Sequence, residues 1–116
     1  MQRMSRLSTI IKEGYMLRKS PTAPVHPGEI LLEDFMKPAG ISINRLALEL
    51  RVPATRIGAI VSETRGITAD MALRLGRYFS TTSQFWMNLQ THFDLQLAAD
   101  ESSKEIERSI RPRNAA

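Results

Sequence analysis

With 116 residues, 42% of them hydrophobic, the chain can bury one small core but not two; it has no cysteine for a disulfide or a thiolate metal site, and no apolar run near the roughly 20 residues that span a bilayer. No apolar block of a secretory signal opens it, so a soluble, cytoplasmic protein is expected. The net charge of +4 sits in residues 1–24, where Arg3, Arg6, Lys12, Arg18 and Lys19 oppose Glu13, while residues 25–100 are close to neutral, so any phosphate-binding surface of the folded part must be a local patch.

Residues 1–24 read as a basic, flexible N-terminal arm, because the run from Lys19 to Pro24 holds nothing that anchors to a core. A weak helical pattern passes through Leu7, Ile10, Ile11 and Met16, and Met4 and Met16 stand open as alternative translation starts. From Pro27 a first helix is expected, with Ile30, Leu31, Asp34 and Phe35 in helical rhythm, Glu29 in the acidic first turn, and Pro38 with Gly40 closing it. His26, just before it, reads as a capping residue rather than a metal ligand or a base. No carboxylate or second histidine lies at ligand spacing, and His92 is the only other histidine. Glu29, Glu33 and Asp34 read as a solvated or partner-facing helix surface.

The most informative stretch is Ile41 to Ser62. Ser42 stands as an N-cap, and Leu46, Ala47 and Leu50 form the buried stripe of a second helix. Arg51, Val52 and Pro53 break the pattern, and Pro53 is suited to open a third helix with Ile57, Ile60 and Val61 as its buried stripe. Two amphipathic helices this short must cross steeply around Ala47, Val52 and Ile57, which is the helix-turn-helix geometry. A loop around Gly66 follows, then a fourth helix capped by Thr68, with Asp70 in its first turn and Met71, Ala72, Leu75 and Phe79 on one face to near Ser80. A fifth carries Phe85, Trp86, Leu89, Phe93 and Leu97 to about Ala99. Residues 101–116 form a charged C-terminal tail expected to fray. The result is all-α: a compact five-helix bundle with no credible strand, its DNA-binding and dimerisation domain spanning residues 25–100.

Four blocks in this order resemble the HigA family of antidote regulators, also labelled VapI, within the phage-repressor-like (Cro/XRE-type) helix-turn-helix group. They are His26-Pro27-Gly28-Glu29-Ile30-Leu31; Arg51-Val52-Pro53 with Arg56-Ile57; Gly66 to Leu75; and Phe85-Trp86-Met87-Asn88-Leu89-Gln90. The resemblance covers about residues 25–98. It implies the lambda-repressor-like fold, a homodimer on palindromic double-stranded operator DNA, and a second task of binding and silencing a HigB-like toxin that cleaves messenger RNA. No cofactor, small-molecule substrate or membrane is expected. Arg51 stands where many such turns carry glycine, and Pro53 replaces the usual Ser or Thr cap, which leaves helix donors free for a phosphate.

In this group the reading helix presents its first turn and outer face to base edges in the major groove, here Ala54, Thr55, Arg56 and Ala59. Arg56 is suited to a guanine, Thr55 to a thymine methyl, and the small Gly58 and Ala59 to close backbone approach. Ser42, Arg45, Arg51, Ser62, Thr64 and Arg65 are expected on phosphates, setting register. Phe85, Trp86, Leu89 and Phe93, with Leu95 and Leu97, exceed what one helix needs for its own core and are expected to be shared between subunits, since two reading helices cover half-sites one DNA turn apart. An orphan regulator without a toxin, and a protein-binding module that has kept the fold but not the DNA, are the competing readings; no nucleophile, base and orienting group assemble as in an enzyme.

Overall fold

Five helices succeed one another over residues 23–114, the part of the chain that the computed structural model describes, and no strand occurs among these residues. The pattern through Leu7, Ile10, Ile11 and Met16 lies outside them. Helix α1 is built of three contiguous pieces, Pro27–Ile30, a π-helical Leu31–Met36, and Lys37–Ala39. Helices α2 (Ile43–Leu50), α3 (Ala54–Val61), α4 (Ala69–Phe79) and α5 (Ser83–Ser109) follow.

The caps of α1, α2 and α4 are where the sequence puts them. His26 Nδ1 accepts from the Gly28 N–H at 2.9 Å, which fixes the start of α1 and leaves this histidine buried, with its ring edge-on to Phe93 at 4.8 Å. Ser42, Thr68 and Thr82 accept from the third residue onward at the starts of α2, α4 and α5. Gly40, at φ 66°, turns the chain out of α1. The π turn had no sequence signature beyond Pro38. A proline ring near a helix end collides with the carbonyl four residues back, and just before Pro38 the spacing is the wider i→i−5, with the Lys37 N–H donating to the Leu32 carbonyl.

Ile30, Leu31, Phe35 and Met36 of α1, Leu46, Ala47 and Leu50 of α2, Ile57 and Ile60 of α3, Met71, Ala72 and Leu75 of α4 and Trp86 of α5 form one buried cluster. Phe35 lies at its aromatic centre, 4.9 Å from Trp86 and 5.1 Å from Phe79 between ring centroids. Trp86 is fully enclosed and donates its indole N–H to Thr81 Oγ1 at 2.8 Å. This corrects one expectation: a tryptophan with no exposed surface has nothing to offer a second subunit. Phe85 and Leu89 are half-buried against the same core, and Phe93 is half-buried beside His26. The large apolar side chains left exposed on α5 are Leu95, Leu97 and Ile106, with Ile110 just past its end.

Helix α5 also runs ten residues past the expected end near Ala99. The apolar rhythm stops there because no core lies beneath the helix, but rhythm reports burial rather than helicity. Residues 100–109 contain no Gly or Pro, and Arg108–Glu105 at 3.0 Å and Ser103–Glu107 at 3.4 Å link successive turns.

The turn between α2 and α3 carries one strained residue. Arg51, at φ 61° and ψ 44°, ends α2 in the left-handed conformation, while the Val52 N–H donates to the Ala47 carbonyl at 3.0 Å. A side chain there costs about 1–2 kcal/mol, against about 0.5–1 kcal/mol for the extra freedom glycine carries in the unfolded chain. Arg51→Gly is therefore expected to leave stability unchanged or raise it by up to about 1 kcal/mol in urea unfolding; a loss of stability would show that the guanidinium has a structural task.

Candidate nucleic-acid interface

Ile57 and Ile60 pull one face of α3 into the core, so its opposite face and its first turn look outward. Thr55 is exposed, Gly58 and Ala59 are half-buried, and Ala54 is half-buried with its methyl against the core. Pro53 supplies no capping oxygen, which leaves the N–H groups of the first turn without a side-chain partner, at the positive end of the helix dipole. Gly58 opens onto free space: a Cβ built there meets no atom within 4 Å.

Arg45, Arg51 and Arg65 are exposed around this helix. Arg45 pairs with Glu49 at 3.0 Å along α2, whereas Arg51 and Arg65 form no ion pair among the described residues. At the start of α2, Ser42 Oγ accepts from the Arg45 N–H at 3.0 Å, so its own proton remains available to a phosphate oxygen. Ser62 and Thr64 differ. Both hydroxyls lie 3.2 Å from the Ala59 carbonyl and 3.2 Å from each other, and that carbonyl also accepts from the Thr64 and Arg65 N–H groups. Their protons are committed to closing α3, so the two residues act as a C-terminal cap with only lone pairs turned outward.

Arg56 is the largest departure from the picture of a free reading side chain. Its Nη2 donates to Thr68 Oγ1 at 3.0 Å and lies 3.7 Å from Asp70 Oδ2, with the side chain 23% exposed. Asp70 is itself held by Arg74, whose Nε donates to the same Oδ2 at 2.8 Å and whose Nη1 donates to the Leu50 carbonyl at 2.8 Å. The hydrogen bond from Arg74 is the main cause holding the Asp70 carboxyl below its usual 3.8; desolvation opposes it, and the charges of Arg74 and then Arg56 add to the lowering. The end of α2 and the first turns of α3 and α4 are thereby joined by one network.

Sequence reasoning named Thr68 and Asp70 only as a cap and a first-turn acid. The i,i+4 spacing of Asp70 and Arg74 was a legible signal of their pairing; the bonds from Arg74 to Leu50 and from Arg56 to Thr68 cross between helices and had none. Gln90 was missed in the same way. From α5 its Oε1 accepts from the Ile67 N–H at 2.6 Å, tying down the loop after α3, and a Cβ at Gly66 would meet the Gln90 amide at 2.8 Å. Among the described residues no group of three His, Cys, Asp or Glu is placed to hold a metal ion, and no helix is long and apolar enough to cross a membrane.

No protein-family model matches the chain. It is 51% identical over 83 residues to virulence-associated protein I of Dichelobacter nodosus, covering 72% of this chain and 77% of that one. It is 32% identical over 79 residues to the antitoxin HigA-1 of Vibrio cholerae, covering 68% of this chain and 74% of the relative. Among solved structures it resembles the Pseudomonas aeruginosa antitoxin HigA with the higBA promoter, at 50% identity and a TM-score of 0.77, over 78% of this chain and 99% of that one. The fold is thus shared with a protein whose sequence matches over most of its length, and the chain belongs to the HigA family of helix-turn-helix antitoxins.

Proposed function

We propose that the chain is the antitoxin of a HigBA-type module: a cytoplasmic homodimer that represses its own promoter and neutralises a HigB-like, mRNA-cleaving toxin, and not an enzyme. The observation that carries the DNA half of this reading is the uncapped, outward-facing first turn of α3, with exposed Arg45 and Arg51 before it in the chain and Arg65 after the helix, in a fold whose Pseudomonas aeruginosa relative was solved with the higBA promoter. Thr55, Arg56 and Ala59 meet base edges, with Ala54 at the rim of the same turn. Ser42, Arg45, Arg51 and Arg65 hold phosphates. Ser62 and Thr64 shape the end of α3 and reach the backbone only as neighbours. Two copies related by a twofold axis, in contact along α5 through the half-buried Phe85, Leu89 and Phe93 and the exposed Leu95 and Leu97, set two α3 helices about 34 Å apart. The toxin half rests on membership of the family.

The test is a gel shift with the promoter upstream of the chain's own gene. Arg56→Ala is expected to weaken binding by about 1–3 kcal/mol per half-site and to relax preference at one base pair in each. Unchanged affinity and unchanged preference would refute the assigned reader. Co-expression with the product of the adjacent gene and pull-down of the pair tests the toxin half: absence of any complex would favour an orphan regulator.

A further inference from the structure

We infer that Asp70, with Thr68, is a positioning residue that fixes the pose from which Arg56 reads its base, so that sequence preference is set from the start of α4 as well as from α3. The inference rests on the reading of Arg56 given above. An arginine on a helix surface ordinarily samples many rotamers, and each must be given up on binding. Here that freedom is already restricted in the unbound protein. Thr68 Oγ1 takes one terminal nitrogen at 3.0 Å, and the Asp70 carboxylate stands behind it at 3.7 Å.

The support is itself hydrogen-bonded. The Asp70 carboxylate is fixed by Arg74 Nε at 2.8 Å, Arg74 is fixed at its other end by the Leu50 carbonyl, and Thr68 Oγ1 is fixed by the Met71 N–H at 3.2 Å. These contacts engage Nη2 alone. Thr68 takes one of its two N–H bonds, and the other, paired with a neighbouring N–H of the planar guanidinium, still offers the two parallel donors that a guanine edge accepts. The clasp is therefore compatible with base readout and orients it, as a second layer of hydrogen bonds orients a metal ligand.

The experiment compares the full chain with Asp70→Asn, Asp70→Ser, which keeps a good helix-start residue, Arg56→Ala, and Asp70→Asn combined with Arg56→Ala. Each is titrated against its own promoter and against duplexes with single substitutions in each half-site, with thermal unfolding followed in parallel. Loss of the clasp is expected to cost about threefold to tenfold in discrimination, at the same base pair that Arg56→Ala affects and at no other, with an unchanged salt slope. In the Arg56→Ala background the Asp70 substitution is expected to add nothing. Four outcomes overturn the proposal. Full discrimination with a lowered melting temperature makes Asp70 a structural brace. Tighter binding to all duplexes makes the clasp a restraint that DNA must break. If Arg56→Ala itself leaves discrimination untouched, there is no reader to position and the underlying reading fails with it; if Arg56→Ala matters and Asp70→Asn does not, the inference fails alone.

Discussion

Gly28→Ala is expected to destabilise the chain by about 3 kcal/mol, a fall in melting temperature of about 12–24 °C for a domain of this size. A Cβ at Gly28 would lie 2.8 Å from the carbonyl carbon of Ile60 and closer still to its oxygen, because the start of α1 crosses backbone to backbone over the end of α3. Neither partner is a flexible side-chain tip, so α1 itself must move. Moving it also disturbs the bond from the Gly28 N–H to His26 Nδ1 and the His26–Phe93 contact that ties α1 to α5. Against a total stability of about 5–15 kcal/mol the loss is severe. Gly58→Ala is the control: a Cβ there meets nothing, and replacing glycine in a helix interior is expected to add about 0.5–1 kcal/mol to the free protein. Urea unfolding of the two variants checks both signs, and a Gly28→Ala protein as stable as its parent would mean that the α1–α3 crossing is looser than described.

Operator affinity is expected to fall about a thousandfold between 50 and 200 mM salt. Arg45, Arg51 and Arg65 from each of two subunits neutralise about six phosphates, and each releases close to one condensed counterion, which gives a slope of about −5 in log–log form. Arg45 has a partner already, but an exposed i,i+4 pair with Glu49 is worth well under 1 kcal/mol and yields readily to a phosphate. Arg51→Gly, which leaves the fold intact or improves it, is expected to reduce the slope by about 2 per dimer, separating the electrostatic task of this residue from its backbone strain. Fluorescence anisotropy across a salt series measures the slope directly. A flat response would remove these arginines from the interface.

The helix-turn-helix, its caps and most of the core were readable from the chain. Ser42, Thr68 and the break at Arg51-Val52-Pro53 act over three or four residues, and the spacing of Leu46, Ala47, Leu50, Ile57 and Ile60 has one helical interpretation. These are local effects, and local sequence determined them, including the capping role of His26 and the outward turn of α3. Most of what lay beyond it came from contacts between helices, which leave no periodic trace, whereas the extra turns of α5 escaped because apolar rhythm reports burial rather than helicity. The enclosure of Trp86 depends on Phe35, Phe79 and Thr81 arriving around it; the need for glycine at position 28 depends on the Ile60 carbonyl; and the anchoring of Arg56 depends on α4 laying Thr68 and Asp70 beside the first turn of α3. The sequence alone determined which helix faces outward, because the stripe that buries one side of α3 frees the other. Only the tertiary structure decided how that helix's arginine is held, because a guanidinium takes its pose from whatever oxygens the packing brings within about 3 Å.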